Sequence, residues 1–138
     1  MNLMEIAKLQ TFLQLRFGDT QLEVRPRPND QETAEVCRGD ECIGILVRDD
    51  DEDDLSYDFN MEIHEDTSDF KAVEAFLRAR LKDQALEIRQ RPNKEDSVEV
   101  YKGDEFIGVL FRNDDEDEVS YDFNMAILDI DLEEATGL

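Results

Sequence analysis

Apolar positions recur first at helical and then at strand spacing, and the chain runs through this order twice. Ile6, Leu9, Leu13 and Phe17 fall on one stripe of a 3.6-residue period. Asn2 followed by Glu5 has the form of a capping box, so a helix is predicted to open there. Val73, Phe76, Leu77 and Leu81 repeat the stripe behind Ser68 or Asp69 as the cap. After each helix the period drops to two. In "QLEVRPR" Leu22 and Val24 take one face and Glu23, Arg25 and Arg27 the other. Pro26 and Pro28 cannot donate to a ladder, which marks an edge strand; "ALEIRQR" agrees with one proline fewer.

"AEVCRGDECIGILV" and "VEVYKGDEFIGVLF" read as strand pairs joined by a Gly-Asp loop suited to a type II′ turn. That register sets Arg38 opposite Glu41 and Cys37 opposite Cys42. In the second half it sets Lys102 opposite Glu105 and Tyr101 opposite Phe106 as an aromatic pair. The following strand is apolar on both faces, with Ile43, Ile45 and Val47 against Leu46, and is therefore predicted to be central. "LSYDFNMEI" alternates Leu55, Tyr57, Phe59, Met61 and Ile63 inward with Ser56, Asp58, Asn60 and Glu62 outward.

Sliding the sequence by 64 residues aligns 12–63 with 76–127 without a gap, and 30 of the 52 positions are identical. The chain is a tandem duplication. The fold class expected is α+β: two repeats, 1–66 and 67–138, each an N-terminal helix packed on a four-stranded antiparallel meander. The junction "HEDTSD" is short and polar, so the copies are expected to pack as one compact unit. On the uncovered sheet face Cys37, Cys42 and Leu46 are expected to match Tyr101, Phe106 and Leu110. Such a patch would serve as the repeat interface or join two chains in a homodimer.

Charge narrows the partners. The chain carries 37 acidic and 15 basic residues, a formal net charge of −22. That field repels nucleic acid and anionic membrane and attracts cations, polyamines or a basic protein face. The N-terminus lacks the basic and apolar regions of a signal peptide, and no apolar run reaches the roughly 18 residues of a spanning helix. A cytoplasmic protein is expected. Cys37 and Cys42 are too few for a disulfide scaffold and lack C-x-x-C spacing.

The acidic runs at 49–54 and 114–118 fall in hairpin loops. Asp50, Asp51, Glu52 and Asp53, with Asp114, Asp115, Glu116 and Asp117, are the candidate partner-binding residues. Two alternatives stand beside docking: a divalent-cation site, and loops that only solubilise. Contiguous acids without alternation or a glycine do not resemble an EF-hand loop. Asp58 and Asp122 are expected on the polar face, paired with Arg25 or Arg48 and their equivalents. Arg25 with Arg27, and Arg89 with Arg91, are expected to pair with Glu35 and Glu99. Cys37 and Cys42 would be close enough for a strained disulfide or a soft-metal pair, although Tyr101 and Phe106 in their places point to packing. "RGD" at 38–40 is explained by the hairpin. The only histidine, His64, is matched by Leu128, so no nucleophile and base pair is shared by both halves. Neither an enzymatic activity nor a cofactor is expected.

"GDEFIGVLF", the acidic loop and "SYDFNMAILDIDLE" at 120–133, preceded by a helix and "RQRP", resemble a family of short acidic bacterial proteins known as a domain of unknown function. The resemblance covers each half and is closer in the second. The first half departs from it at Cys37, Cys42 and His64. It implies a bacterial cytoplasmic setting and a small helix-plus-sheet fold, and it supplies no activity or catalytic residues. The function expected is that of a non-catalytic acidic module docking a basic protein surface, with imitation of nucleic-acid charge as one route.

Overall fold

Capping chemistry starts the first element where the sequence places it. In the computed structural model, which describes residues 1–51, 54–64, 70–115 and 118–136, helix α1 (Leu3–Phe17) opens with a reciprocal box. The Glu5 N–H donates to Asn2 Oδ1 at 2.8 Å and the Asn2 N–H to Glu5 Oε1 at 3.0 Å. The helix closes at Gly18, whose φ of 61° is the left-handed conformation that needs no Cβ. Ile6, Leu9, Leu13 and Phe17 are buried as expected, joined by Phe12. Helix α2 (Phe70–Leu81) buries Val73, Leu77 and Leu81. Phe76 is only half-buried, with the Arg80 guanidinium 5.0 Å from its ring centroid. The expected caps Ser68 and Asp69 lie outside the described residues.

The strands are β1 (Leu22–Arg27), β2 (Asp30–Arg38), β3 (Glu41–Asp51) and β4 (Asp54–Ile63), then β5 (Leu86–Arg91), β6 (Lys94–Lys102), β7 (Glu105–Asp115) and β8 (Glu118–Leu128). Arg38 faces Glu41 and Cys37 faces Cys42; Lys102 faces Glu105 and Tyr101 faces Phe106. At the hairpin turns Gly39 and Gly103 have φ of 60° and 64° while the following aspartates keep negative φ, the type II′ combination.

One residue past each hairpin the register slips, because Val36 pairs with Gly44 and Val100 with Gly108. Ile43 and Ile107 are the extra residues of β-bulges, and a bulge exchanges the faces of everything beyond it. Leu46 and Leu110 therefore do not share the outer face with the hairpin residues. Both lie fully buried on the core side, which corrects the expected interface patch. The outer face carries Ile45 in the first copy and Phe111 in the second, each about two-fifths exposed.

Contacts divide the chain into two units, Met1–Phe59 with Ala126–Leu138, and Asn60–Met125. In the first, the strands follow the order β1-β2-β3-β4; in the second, β5-β6-β7-β8. The last residues of β4, 60–63, belong to the second unit and those of β8, 126–128, to the first. Boundaries at 66 and 67 therefore describe the sequence repeat and not the contact units. A third helix, α3 (Asp129–Thr136), follows β8, packs on α1 and buries Leu132. Periodicity alone did not predict it.

Helix side chains also cap the free edges of β1 and β5. The Val24 N–H donates to Gln10 Oε1 at 3.0 Å and Gln14 Nε2 donates to the Leu22 carbonyl at 2.9 Å. In the second copy Glu74 accepts from the Ile88 N–H at 2.8 Å and Arg78 donates to the Leu86 carbonyl at 2.6 Å. Edge groups held this way are withdrawn from pairing with another chain.

The position matching Gly18 is Lys82, which adopts φ 54° despite its Cβ. Lys82→Gly is expected to stabilise the protein by about 1 kcal/mol, read as a higher urea midpoint at unchanged slope. An unmoved midpoint would contradict this account of the cap.

Candidate functional site

The bulge decides which way the residues beyond it point. Arg48 has the parity of Leu46 and turns toward α1, where its Nε donates to Glu5 Oε2 at 2.8 Å. The Tyr57 hydroxyl donates to the same oxygen at 2.6 Å. Arg48 also approaches Asp50 at 3.5 Å and Glu32 at 3.9 Å. Burial works to raise the Glu5 pKa, but the bonds from Tyr57, the Asn2 N–H and Arg48 outweigh it and hold the carboxyl below its ordinary value. Burial, and then the bond to the Glu5 carboxylate, raise the Tyr57 phenol above its usual range.

Asp49 has the opposite parity and lies on the outer face near Asp58. Asp58 is pushed upward by burial and then by the Asp49 charge. In the second copy Asn113 stands where Asp49 does, and its amide donates to Asp122 at 2.6 Å. The expected arginine partners of Asp58 and Asp122 are thus replaced by a carboxylate in one copy and an amide in the other. Arg25 and Arg89 sit opposite Glu35 and Glu99 in register but turn along their own strands. Arg25 reaches Glu23 at 3.4 Å and the Gly39 carbonyl at 2.7 Å; Arg89 reaches Glu87 and the Gly103 carbonyl, each at 2.8 Å.

Of the candidate partner-binding residues, Asp50 and Asp114 are exposed, with Asp114 lying 3.1 Å from Arg112. Asp51 and Asp115 end β3 and β7, and their side chains are outside the described set. Glu52, Asp53, Glu116 and Asp117 lie outside the described residues. The tertiary structure instead gathers acids from distant segments. A groove of about 610 Å³ in the first unit is lined by Asp49, Asp54, Leu55, Leu128, Asp129, Ile130 and Glu133, together with Ser56. Leu128 and Ile130 are 51% and 57% exposed, so the groove offers aliphatic surface between four carboxylates. Sequence reasoning missed Leu128, Asp129, Ile130 and Glu133 because it read no helix there. One signal existed: Asp131 Oδ2 accepts from the Leu128 N–H at 2.9 Å, half of a capping box without a capping side chain.

Cys37 and Cys42 form a disulfide across the hairpin, so the packing reading of this pair gives way to a covalent one. Cys37 is buried and Cys42 exposed. The arginine of "RGD" is engaged: Arg38 Nη2 lies 2.6 Å from the buried Asp19, as Lys102 lies 3.0 Å from the buried Asp83. His64 is exposed, 3.1 Å from Glu62. No helix among the described residues is long and apolar enough to cross a membrane.

A doubled helix-and-meander architecture with paired hairpin bulges defines a tandem-repeat α+β protein. The model of the family described as "Protein of unknown function (DUF3126)" matches residues 5–66 and again 69–131, and the chain belongs to that family in two copies. No curated protein and no solved structure matches the chain.

Two outcomes test the charged networks. Tyr57→Phe is expected to cost about 1.5–3 kcal/mol at neutral pH, the worth of a hydrogen bond to a charged group. Glu5 has a depressed folded-state pKa, so its contribution is present above the unfolded value and is lost as pH falls through the folded one. The cost of Tyr57→Phe should therefore shrink in acid, as measured by urea unfolding against pH. Asp49→Asn, which installs the amide of the second copy, should stabilise by about 0.5 kcal/mol at neutral pH. Asp58 has a raised pKa, so its penalty is complete above the folded value and is relieved as pH falls toward the unfolded one. The gain should fade over that window; a gain that grew in acid would refute the assignment.

Proposed function

We propose that this protein is a non-catalytic docking module whose first unit receives a basic, partly apolar segment of a partner protein. The observation that carries the reading is the groove between the start of β4 and α3, where Asp49, Asp54, Asp129 and Glu133 surround Leu55, Leu128 and Ile130. Carboxylates around exposed aliphatic surface complement a segment in which Lys or Arg alternates with Leu or Ile. The apolar floor gives the affinity, and the charges set orientation and encounter rate. The net charge of −22 adds long-range attraction that weakens with salt. Exposed Asp50 adds to the same field in the first unit, in keeping with the sequence expectation of a basic protein partner and not a nucleic acid.

Affinity capture from a cell lysate at low and high salt tests this, with wild type beside two variants. The first, Asp54→Asn with Glu133→Gln, removes groove charge. The second, Leu128→Ser with Ile130→Ser, removes groove apolar surface without emptying the core. A basic partner should be recovered at low salt, lost at high salt, and reduced on the order of tenfold by either variant, equivalent to about 1.4 kcal/mol. Capture that survives both variants with unchanged circular dichroism would sink the proposal.

A further inference from the structure

The hairpin of the first unit carries a second cluster, apart from the groove. Glu35 and Cys37 project from the outer face of β2, and Cys42 stands opposite Cys37 just before the bulge. The two sulfurs and a Glu35 carboxylate oxygen all lie within 4.8 Å of one another. Arg25, the register neighbour of Glu35, is drawn aside by Glu23 and the Gly39 carbonyl. Cys42 is exposed and Glu35 partly so, which leaves the cluster accessible from solvent.

The hairpin does not need the disulfide in order to form. The second copy builds the same turn, register and bulge with Tyr101 and Phe106 in place of the cysteines. A bridge between residues only five apart also closes a short loop, which constrains the unfolded chain less than a long one would. What the pair adds is chemistry. Two thiolates and a carboxylate are a borderline-soft donor set that suits zinc better than calcium or magnesium. Tetrahedral zinc, with Zn–S near 2.3 Å, holds two thiolates roughly 3.8 Å apart, so the two sulfurs, bonded in the disulfide, must separate on reduction, with the Glu35 oxygen already within 4.8 Å of each.

We propose that reduction of the Cys37–Cys42 disulfide by a dithiol opens a zinc(II) site on this face. Cys37 Sγ, Cys42 Sγ and one Glu35 carboxylate oxygen are the protein ligands and water is the fourth. The reductant delivers two electrons and two protons, the S–S bond breaks, and the reductant leaves as its own disulfide. Zinc then displaces the two thiol protons. A disulfide oxidant reverses the step: the two thiolates give it two electrons and reform the S–S bond, the oxidant takes two protons and leaves as its dithiol, and zinc(II) is released, so the first copy binds zinc only when reduced. The second copy, with Tyr101 and Phe106, does not bind it.

The test uses the full chain, reduced with a phosphine that is removed without air. Zinc(II) is titrated in competition with a chromophoric chelator, with excess magnesium present to occupy the acidic surface. Reduced protein should take up one equivalent, and cobalt(II) in its place should give thiolate charge-transfer absorption. Disulfide-bonded protein should take up none in competition with the chelator. Cys37→Tyr with Cys42→Phe, which installs the pair that the second copy already folds around, should also take up none. Losing an outer-shell partner already weakens metal sites by about 10–100-fold, so Glu35→Gln should weaken binding by at least the order of tenfold. Absence of stoichiometric binding to reduced protein would overturn the proposal, as would undiminished binding by the double variant. Unchanged affinity in Glu35→Gln would overturn the three-ligand assignment.

Discussion

One extra residue in β3, repeated in β7, governs most of what this protein presents on its surfaces. The bulges at Ile43 and Ile107 reverse the inside and outside of each strand partway along its length. Before them, Cys42 and Phe106 face outward; beyond them, Leu46 and Leu110 enter the core. The reversal also turns Arg48 toward Glu5 and Asp49 toward Asp58. In the second copy a glycine, Gly108, follows the bulge. A Cβ on Gly108 would stand 2.4 Å from the Asn124 carbonyl oxygen, so the close approach of β8 excludes any larger residue there.

Charge is used differently on the two sides of the sheets. On the core side a few carboxylates are spent on tertiary links: Glu5 ties α1 to β3 and β4, and Asp19 and Asp83 tie the ends of the helices to the hairpins. Each is shielded and paired, as an ionised group out of water must be. The surplus remains outside, where the groove in the first unit collects acids from β3, β4 and α3 around exposed Leu128 and Ile130. Paired acids hold the fold, while Asp49, Asp54, Asp129 and Glu133 along the groove stay exposed.

The two copies have kept one scaffold and diverged at the outer face. In the second, Arg89 lies 4.0 Å over the Tyr101 ring, and Tyr101 meets Phe106 edge-on at 5.7 Å. In the first, the same two positions hold a disulfide. Asp49 against Asn113 and Gly18 against Lys82 are further differences within shared geometry. Each sits at a turn, a helix end or an outer face; Gly18, Cys42 and Asp49 are exposed there, while Cys37 is buried.

The repeat, the helix stripes, the capping box of Asn2 and Glu5, the hairpin registers and the inward Tyr57, Phe59, Met61 and Ile63 were all legible in the sequence. They rest on local periodicity and turn chemistry, which act between residues a few positions apart. The bulge was not legible, because Ile43 and Ile107 read as ordinary strand residues and only pairing with β2 or β6 exposes the extra one. That single parity error carried Leu46 and Leu110 to the wrong face. Helix α3 was hidden because its one apolar anchor, Leu132, gains stability by packing and not from its own weak pattern. The groove was hidden for a related reason, since it joins residues 49–56 to residues 128–133. Sequence alone determined the elements and the charge; tertiary structure decided which charges meet, because that depends on pairing and packing between segments far apart in the chain.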